Sequence, residues 1–443
     1  MGASERIGAD LGLVRSDAFA AACRRRPQDF TRRRKMPCDL LVESLLCRKG
    51  RTLRIELREF GRDSEMADPI SVPGYLRQRE KLNPEAIGML MRHHARRVYA
   101  DGDAPTWHGM HVLAIDGSSA NVPTNAATLE AYGGSPAAHG KVQAFCGLSA
   151  VFDVIARQVV GLEVTTGNFD ERSLVPGHVE SARAAVGGDP FVLVMDRGYP
   201  SFPLLAWLSD NGVPYLMRAQ SVFMNAEFRE AEAAGGDATC EFGFGYQRIA
   251  SVRRKDPEAF GALLGRDPIE VRCVLVDIGG GSPEKLVTNL PASELSPGDL
   301  KELYHLRWGV ETCFQMLKDR LQAENMTGTK PILIEQDIYA SAYLLNVAFD
   351  IANEADAAAL AAGAPDRYRH RMTVNRSFAL GVVKDELLGM LLADDPERGA
   401  IMSRIVGELS RCLVPVRGER SYPRDGVGRN YANRYSNTHK RVF

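Results

Sequence analysis

The chain has 443 residues, 45% of them hydrophobic and 25% charged, with a formal net charge of -1. This is ordinary globular composition, long enough for two or three domains and a sizeable core. Taken alone, the near-zero charge argues against a nucleic-acid binder. The distribution of charge says more: Arg24 to Arg62 holds 13 basic residues against 5 acidic, and Ile401 to Phe443 holds 9 against 3. Basic ends around an acidic centre suit a protein that grips a polyanion with its ends and a metal with its middle; solvated tails give the same pattern. The opening MGASERIGADLG is charged and lacks a long apolar run, so it does not read as a signal peptide, and Arg6 breaks a myristoylation motif. Eight scattered cysteines without a C-x-x-C pair fit a reducing cytosol and give no zinc pattern. The longest apolar stretch, Ile338 to Phe349, is too short to span a bilayer and contains Asn346. A soluble, cytoplasmic protein is expected.

Residues 1 to about 105 read as helical: LLVESLLC, TLRIELREF and NPEAIGMLMRHHARRVY carry apolar residues at three- and four-residue steps. RTLRIELREFGR is followed by a break and then by SVPGYLRQREKLNP, where Ser71 suits an N-cap and Pro73 the first turn. A helix, a turn and a second helix with Arg77, Arg79 and Lys81 has the layout of a helix-turn-helix, which makes those three cations candidate DNA contacts; an all-α cap domain would look similar. The pair His93-His94 reads as structural rather than as metal ligands.

At His111 the texture changes. HVLAID is a short apolar strand ending in Asp116, and KVQAFCGLSAVFDVI and RQVVGLEVTTG are two further strands. NFDERSLVPGHVESARAAV reads as helix, FVLVMD as a buried strand ending in Asp196, Phe202 to Asp210 as helix and VPYLMRA as strand. This order predicts an α/β fold, a mixed sheet with helices packed on it. Residues 220–290 read as a β-rich insertion. Ser296 and Pro297 then open a helix through YHLRWGVETCFQMLK, and another covers about Pro331 to Leu360. One or two more helices and a loose basic tail follow.

The chemistry concentrates in three places. At about 100° per residue, Tyr304, Arg307, Glu311 and Lys318 fall within roughly 60° of one another, a single stripe on one helix. Arg307 to Glu311 is also the spacing of an ordinary intrahelical ion pair. Asp116 and Asp196 each end an apolar strand, where ligands of open α/β sheets sit, although a strand-end aspartate is also a common turn former. Three carboxylates brought together repel unless a cation neutralises them. Hard oxygen ligands from separate elements suit Mg²⁺ or Mn²⁺, and two such ions about 3.5–4 Å apart promote in-line displacement at phosphorus. Arg307 and Lys318 would then face phosphate oxygens, with Tyr304 donating to the same backbone.

Tyr304, Arg307, Glu311 and Lys318 reproduce the Y-(2)-R-(3)-E-(6)-K signature of a large family of bacterial insertion-sequence DDE transposases, and AIDGSS and VMDRGYPS resemble that family's first and second aspartate boxes. The resemblance runs from roughly Thr31 to Phe349. It implies an RNase H-like catalytic domain in 106–219 and 291–350, with the β-rich insertion 220–290 between. Residues 1–105 become a helical DNA-binding region, and 351–443 a C-terminal helical region with a basic tail. It further implies that Asp116, Asp196 and Glu311 are catalytic and bind two Mg²⁺ ions, with Mn²⁺ as substitute, and that Tyr304, Arg307 and Lys318 hold DNA phosphates. Such enzymes nick double-stranded DNA at terminal inverted repeats and join the freed 3′-hydroxyl to target DNA, often through a hairpin. They work as a homodimer, here in the bacterial cytoplasm and on the nucleoid when active. Hairpin-forming relatives place a tryptophan in the insertion; here Trp107, Trp207 and Trp308 all lie elsewhere, leaving Phe242, Phe244 and Tyr246, which read as core. The competing readings are a structure-specific nuclease on the same fold, a DNA-binding derivative without catalysis, and a two-carboxylate glycosidase that would leave Arg307 and Lys318 idle.

Overall fold

The computed structural model describes residues 1–416 apart from 33–35, 67–69, 103, 138–139, 278–282, 364–367 and 369. The expected basic tail beyond residue 416 and the GGGS turn lie outside the described residues. Six helices open the chain: α1 (Ala3–Val14), α2 (Asp17–Ala22), α3 (Cys38–Leu46), α4 (Leu53–Asp63), α5 (Val72–Arg79) and α6 (Pro84–Tyr99). Ser71 caps α5 as its sequence suggests, accepting a hydrogen bond from the Gly74 N–H at 3.3 Å.

The sheet begins with β1 (His111–Asn121). Helix α7 (Ala126–Tyr132), β2 (Gly134–Pro136), β3 (Val142–Asp153) and β4 (Gln158–Thr165) follow, then α8 (Val175–Val186), β5 (Phe191–Met195), α9 (Phe202–Asp210) and β6 (Tyr215–Arg218). β1 runs antiparallel to β3 and parallel to β5; β5 is parallel to β6, and β4 is antiparallel to β3. This is the mixed sheet expected of an RNase H-like core. β1 and β5 are buried on both faces, as central strands are. Val112, Ala114, Val192 and Val194 face one core, and Leu113, Ile115, Leu193 and Met195 face the other, on the period of two that a strand imposes.

The stretch expected as a β-rich insertion is half helical. It holds α10 (Asn225–Ala233), β7 (Asp237–Phe242), α11 (Tyr246–Lys255), α12 (Pro257–Leu263), β8 (Ile269–Val276) and β9 (Glu284–Thr288). Its strands continue the main sheet, β9 pairing with β6, β8 with β9 and β7 with β8. The apolar faces of these helices are short, which hides them in the sequence: α11 fully buries only Ile249.

After the sheet come α13 (Pro297–Leu306), α14 (Trp308–Gln315), a π-helical turn (Met316–Arg320) and α15 (Pro331–Ala361). α16 (Arg376–Leu392) and α17 (Asp395–Leu409) follow, flanked by the short strands β10 (Met372–Val374) and β11 (Leu413–Pro415), which pair with each other. α15 is apolar on nearly every side and buried along most of its length, because α1, α6, α16 and α17 pack around it. Asn346, the polar residue in its middle, completes the sheet edge: its side-chain amide accepts from Val159 N–H at 2.7 Å and donates to Val159 C=O at 2.9 Å. Among the described residues no helix is long and apolar enough to cross a membrane.

Two buried charge networks pin the N-terminal helices to α15. In the first, Arg79, fully buried, donates to Asp337 Oδ1 at 2.7 Å, to Gln336 Oε1 at 2.9 Å and to the Leu333 carbonyl at 2.8 Å. In the second, Asp10 on α1 receives the Nδ1 atoms of both His93 and His94 at 2.7 Å and the Tyr343 hydroxyl at 3.0 Å, while Arg6 pairs with Asp350 at 2.6 Å. The histidine pair is structural, as its sequence setting suggests.

Two predictions follow from these networks. Arg79→Ala should destabilise the protein by about 3 kcal/mol, since it leaves Asp337 in the interior with only Arg48, at 2.8 Å, as an ion-pair partner among the described residues; denaturant melts of the two proteins check this. The second concerns pH. Burial opposes a charge on His94, but Asp10 and Asp350 outweigh it and push its pKa from 6.5 up to about 9. Folding therefore binds that proton more tightly, so the stabilisation is complete below about pH 6.5 and is lost as pH rises through about 9. The gap in melting temperature between the wild type and His94→Gln should narrow over that interval; a constant gap would refute a charged His94.

Candidate active site

Asp116 and Asp196 meet where two parallel strands part. The last pair between β1 and β5 is Ile115 with Met195, and the two aspartates are the next residue on each strand. β1 does not end at Asp116 as its sequence suggested; it runs on to Asn121 with β3 alone as partner. By the alternation of the strands both carboxylates face the side of the sheet covered by α13 and α14. Gly309 lets α14 lie close on the chain just past the end of β3: a Cβ there would fall 2.9 Å from the Val154 Cβ.

The segment Tyr304 to Lys318 is not one continuous helix. It breaks at Arg307, between α13 and α14, and ends in the π turn that holds Lys318. π turns of this kind recur at functional sites. The four stripe residues accordingly sit in different environments. Arg307 is almost wholly buried, with its side chain 6% exposed, and spans two carboxylates: Nη2 donates to Glu311 Oε1 at 2.6 Å and Nη1 lies 3.5 Å from Asp116 Oδ2. Its guanidinium stacks 4.8 Å from the Trp308 ring centroid and 5.9 Å from that of Tyr304. Glu311 is 44% exposed. Lys318 Nζ donates to Ser118 Oγ at 2.6 Å, two residues beyond Asp116. Asp116, Asp196, Tyr304, Arg307, Glu311 and Lys318 thus gather at one end of the sheet.

The charges are unevenly balanced. Burial, with smaller contributions from Asp196 and Glu171, pushes the Asp116 carboxyl up to about 7 against the downward pull of Arg307 and of the Gly117 N–H. Among the described residues no three acidic, histidine or cysteine side chains lie close enough to hold an ion. The structure brings Asp116 and Asp196 side by side and connects Glu311 to them through a guanidinium.

The expected helix-turn-helix contacts need correction at Arg79, which is committed to Asp337 and reaches no solvent. α5 is only eight residues long, and its inward face takes that arginine together with Tyr75. Arg77 is exposed, and Lys81, past the end of α5, bonds Gln78 at 3.0 Å. The basic surface of this region lies on α4 instead. Arg54, Arg58 and Arg62 recur at helical spacing on its exposed side, opposite buried Leu57 and Phe60, and Arg51 just precedes the helix. Arg51 and Arg62 pair with Glu59 and Asp63, each at 2.6 Å; Arg54 and Arg58 have no ion-pair partner among the described residues. The three- and four-residue spacing of these arginines was the signal that would have found them.

Other residues near the carboxylates were not singled out from sequence. Arg218, one position beyond the Met217–Met195 pair, is ion-paired with Glu284 and acts electrostatically on Tyr304. Glu171 and Tyr199 face the aspartates. Of the aromatic candidates in 220–290, Phe242 and Phe244 are core, packed edge to face, while Tyr246 is exposed beneath Arg253.

A nine-stranded mixed sheet with helices from both parts of the chain, and two aspartates where β1 and β5 part, defines an α/β protein with acidic residues at the parting of its central strands. The chain belongs to the transposase DDE domain family, whose profile matches residues 107–347. It is 24% identical over 274 residues to the transposase InsG for insertion sequence element IS4 of Escherichia coli (strain K12). That match covers 60% of this chain and spans 57% of the relative's length. A cryo-EM structure of piggyBac transposase in a synaptic complex with hairpin DNA aligns with a TM-score of 0.45 and 11% identity, over 94% of this chain and 87% of that one.

Proposed function

We propose that this protein is a DNA transposase that cleaves transposon ends with divalent metal and transfers the freed strand to target DNA. The observation that carries the reading is the placement of Asp116 and Asp196 at the parting of β1 and β5, with Glu311 tied to Asp116 through Arg307. Membership of the transposase DDE domain family supports the activity, and with it dependence on a divalent cation.

The donor set fits such a cation. Asp116 is largely buried and bears the charge of two neighbouring carboxylates, offset by Arg307 and by a hydrogen bond from the Gly117 N–H at 2.9 Å. Asp116, Asp196 and Glu311 would hold Mg²⁺, with Mn²⁺ as substitute and two ions per site, after Arg307 lets Glu311 go. When bound, the metal supplies activation of a water or 3′-hydroxyl and stabilisation of the leaving oxygen. The chain's own side chains do the rest. Arg307, once released, offers a planar fork to a phosphate that aromatic stacking on Trp308 keeps in register. Lys318 adds a point charge beside Ser118, and Tyr304 a hydroxyl. Arg54, Arg58, Arg77 and Lys81 give the N-terminal helices contacts to the DNA backbone. The partners in this reading are terminal inverted repeats and target DNA, held by a homodimer.

Asp116→Asn, Asp196→Asn and Glu311→Gln should each abolish Mn²⁺-dependent cleavage of inverted-repeat DNA on a denaturing gel, while end binding persists. Cleavage by all three would defeat the assignment, and cleavage without joining of pre-cut ends would reduce it to a nuclease. Each lost phosphate contact should flatten the slope of log K against log salt by about 0.9, hence about 1.8 for Arg54→Ala with Arg58→Ala, and about 0.9 for Lys318→Ala. Unchanged slopes would remove these residues from the DNA interface.

A further inference from the structure

We propose that Arg157, Arg371 and Arg376 form an oxyanion site where the turn between β3 and β4 meets the C-terminal helices, and that its ligand is a phosphate group. The site stands at the other end of the sheet from the catalytic carboxylates. β3 passes Asp116 at Ala150, reaches Asp153 opposite Leu113, and then turns through Arg157 into β4. Arg376 opens α16, and Arg371 directly precedes β10. α15 supplies the link between the turn and α16: Asn353 donates to the Ala156 carbonyl at 2.8 Å and accepts from Arg376 Nη2 at 2.9 Å.

The charges there do not balance. Asp356 is the one carboxylate that acts on Arg157 and Arg376 among the described residues. Its oxygens are already engaged: Oδ1 accepts from the Val374 N–H at 2.6 Å, and Oδ2 from the Thr373 hydroxyl at 3.0 Å and from Arg376. Arg376 is 7% exposed, and its Nε and Nη1 are buried with no hydrogen-bond partner among the described residues. Arg157 has no hydrogen-bond or ion-pair partner among them either, although it is half-buried and held in the left-handed backbone region at φ 59°. Burial, and then the like charge of Arg371, lowers the pKa of Arg157. Burial, and then the like charge of Arg157, brings Arg376 down to about 10.

Buried donors without partners mark a place where a water or an ion belongs, and three arginines around one occupied carboxylate call for an anion. The planar fork of a guanidinium matches the oxygens of a phosphate. α16, seventeen residues long, begins at Arg376 and adds the partial positive charge of its N-terminus. Arg371 is exposed and Arg157 half-buried, so the cluster opens to solvent. The neighbouring chain favours phosphate over a carboxylate. The Val416 N–H bonds the Arg371 carbonyl at 2.8 Å, and the sequence that follows, 417–443, carries seven basic residues against two acidic. A lone carboxylate would account for the arginines but not for that run of charge, whereas a phosphate-bearing polyanion accounts for both. Free orthophosphate and a DNA phosphodiester present the same oxygens to the site.

The test is calorimetric titration of orthophosphate, at fixed ionic strength, into the full-length, DNA-free protein and its Arg157→Asn, Arg157→Lys and Lys318→Ala variants. Arg157→Asn should weaken binding by about tenfold or more, the worth of one hydrogen bond between charged groups, and Arg157→Lys by less. Asparagine accepts the left-handed backbone, and the change removes a like charge beside Arg376. Without phosphate, Arg157→Asn should therefore melt no lower than the wild type; a lower melting temperature would mark Arg157 as a structural cation and overturn the proposal. Absence of orthophosphate binding by the wild type would overturn it as well. So would binding that is lost in Lys318→Ala and kept in Arg157→Asn, which places the ion at the catalytic centre. In salt titrations of duplex DNA binding, Arg157→Asn should flatten the slope of log K against log salt by about 0.9 when the phosphate is that of DNA. An unchanged slope, with orthophosphate affinity lost, would keep the site and name the free ion as its ligand. Neither measurement needs cleavage, so the site stands or falls apart from the transposase reading.

Discussion

Two carboxylates at the parting of adjacent parallel strands, one of them largely buried, impose the constraint on which the rest of this site depends. Side chains one strand spacing apart, about 5 Å, repel by roughly 3 kcal/mol at an effective dielectric near 20. A fold keeps such a pair only if a cation is close by. In this structure the cation is Arg307, set at the junction of α13 and α14 and bonded to Glu311 while it approaches Asp116. Arg307 and Glu311 keep the i,i+4 pairing of a continuous helix across the junction, with the guanidinium buried and the carboxylate 44% exposed.

The surrounding scaffold fixes where that junction sits. Gly309 brings α14 down onto the chain just past the end of β3, and α15 runs beneath the N- and C-terminal helices. The helices of both chain ends therefore share one layer. Arg79 and Asp10 tie α5, α1 and α6 to α15 through buried charges that are fully paired. Lone buried charges would be costly; paired ones specify which helix meets which. The cation expected to reach outward is thereby used inward, and outward charge in this region comes from α4.

Much of this was legible in the sequence. Strands β1, β3, β4, β5 and β6 announced themselves by apolar runs, and Ser71 and Ser296 by cap chemistry. The aspartate boxes could be located because each follows a run buried on both faces. Three things were not legible, for distinct reasons. The length of β1 was hidden because its second half, Gly117 to Asn121, is small and polar and is held by β3 alone. The burial of Arg79 was hidden because its partner Asp337 lies far along the chain, inside a helix that reads as apolar. Glu171 was hidden because an acid in a polar turn is unremarked until the turn is folded back against Gly117. Local patterns fix elements; the partners of a buried charge are set by tertiary structure.

The choice of arginine at 307 follows from the same constraint. A lysine of similar reach is a single point charge, and burial would push it toward the neutral form. A guanidinium stays charged when buried, can touch two carboxylates at once, and has flat faces for Trp308 and Tyr304. Its Nε is buried with no hydrogen-bond partner, so even in this arrangement its donors are not all satisfied. The residue that neutralises the acids is held by a bond to one exposed carboxylate, a longer contact to a buried one, and aromatic stacking. Of the buried arginines in this chain it contrasts most with Arg79, whose side chain is bonded to three separate residues of α15. That contrast separates a cation fixed by the fold from one whose partners a stronger charge could replace.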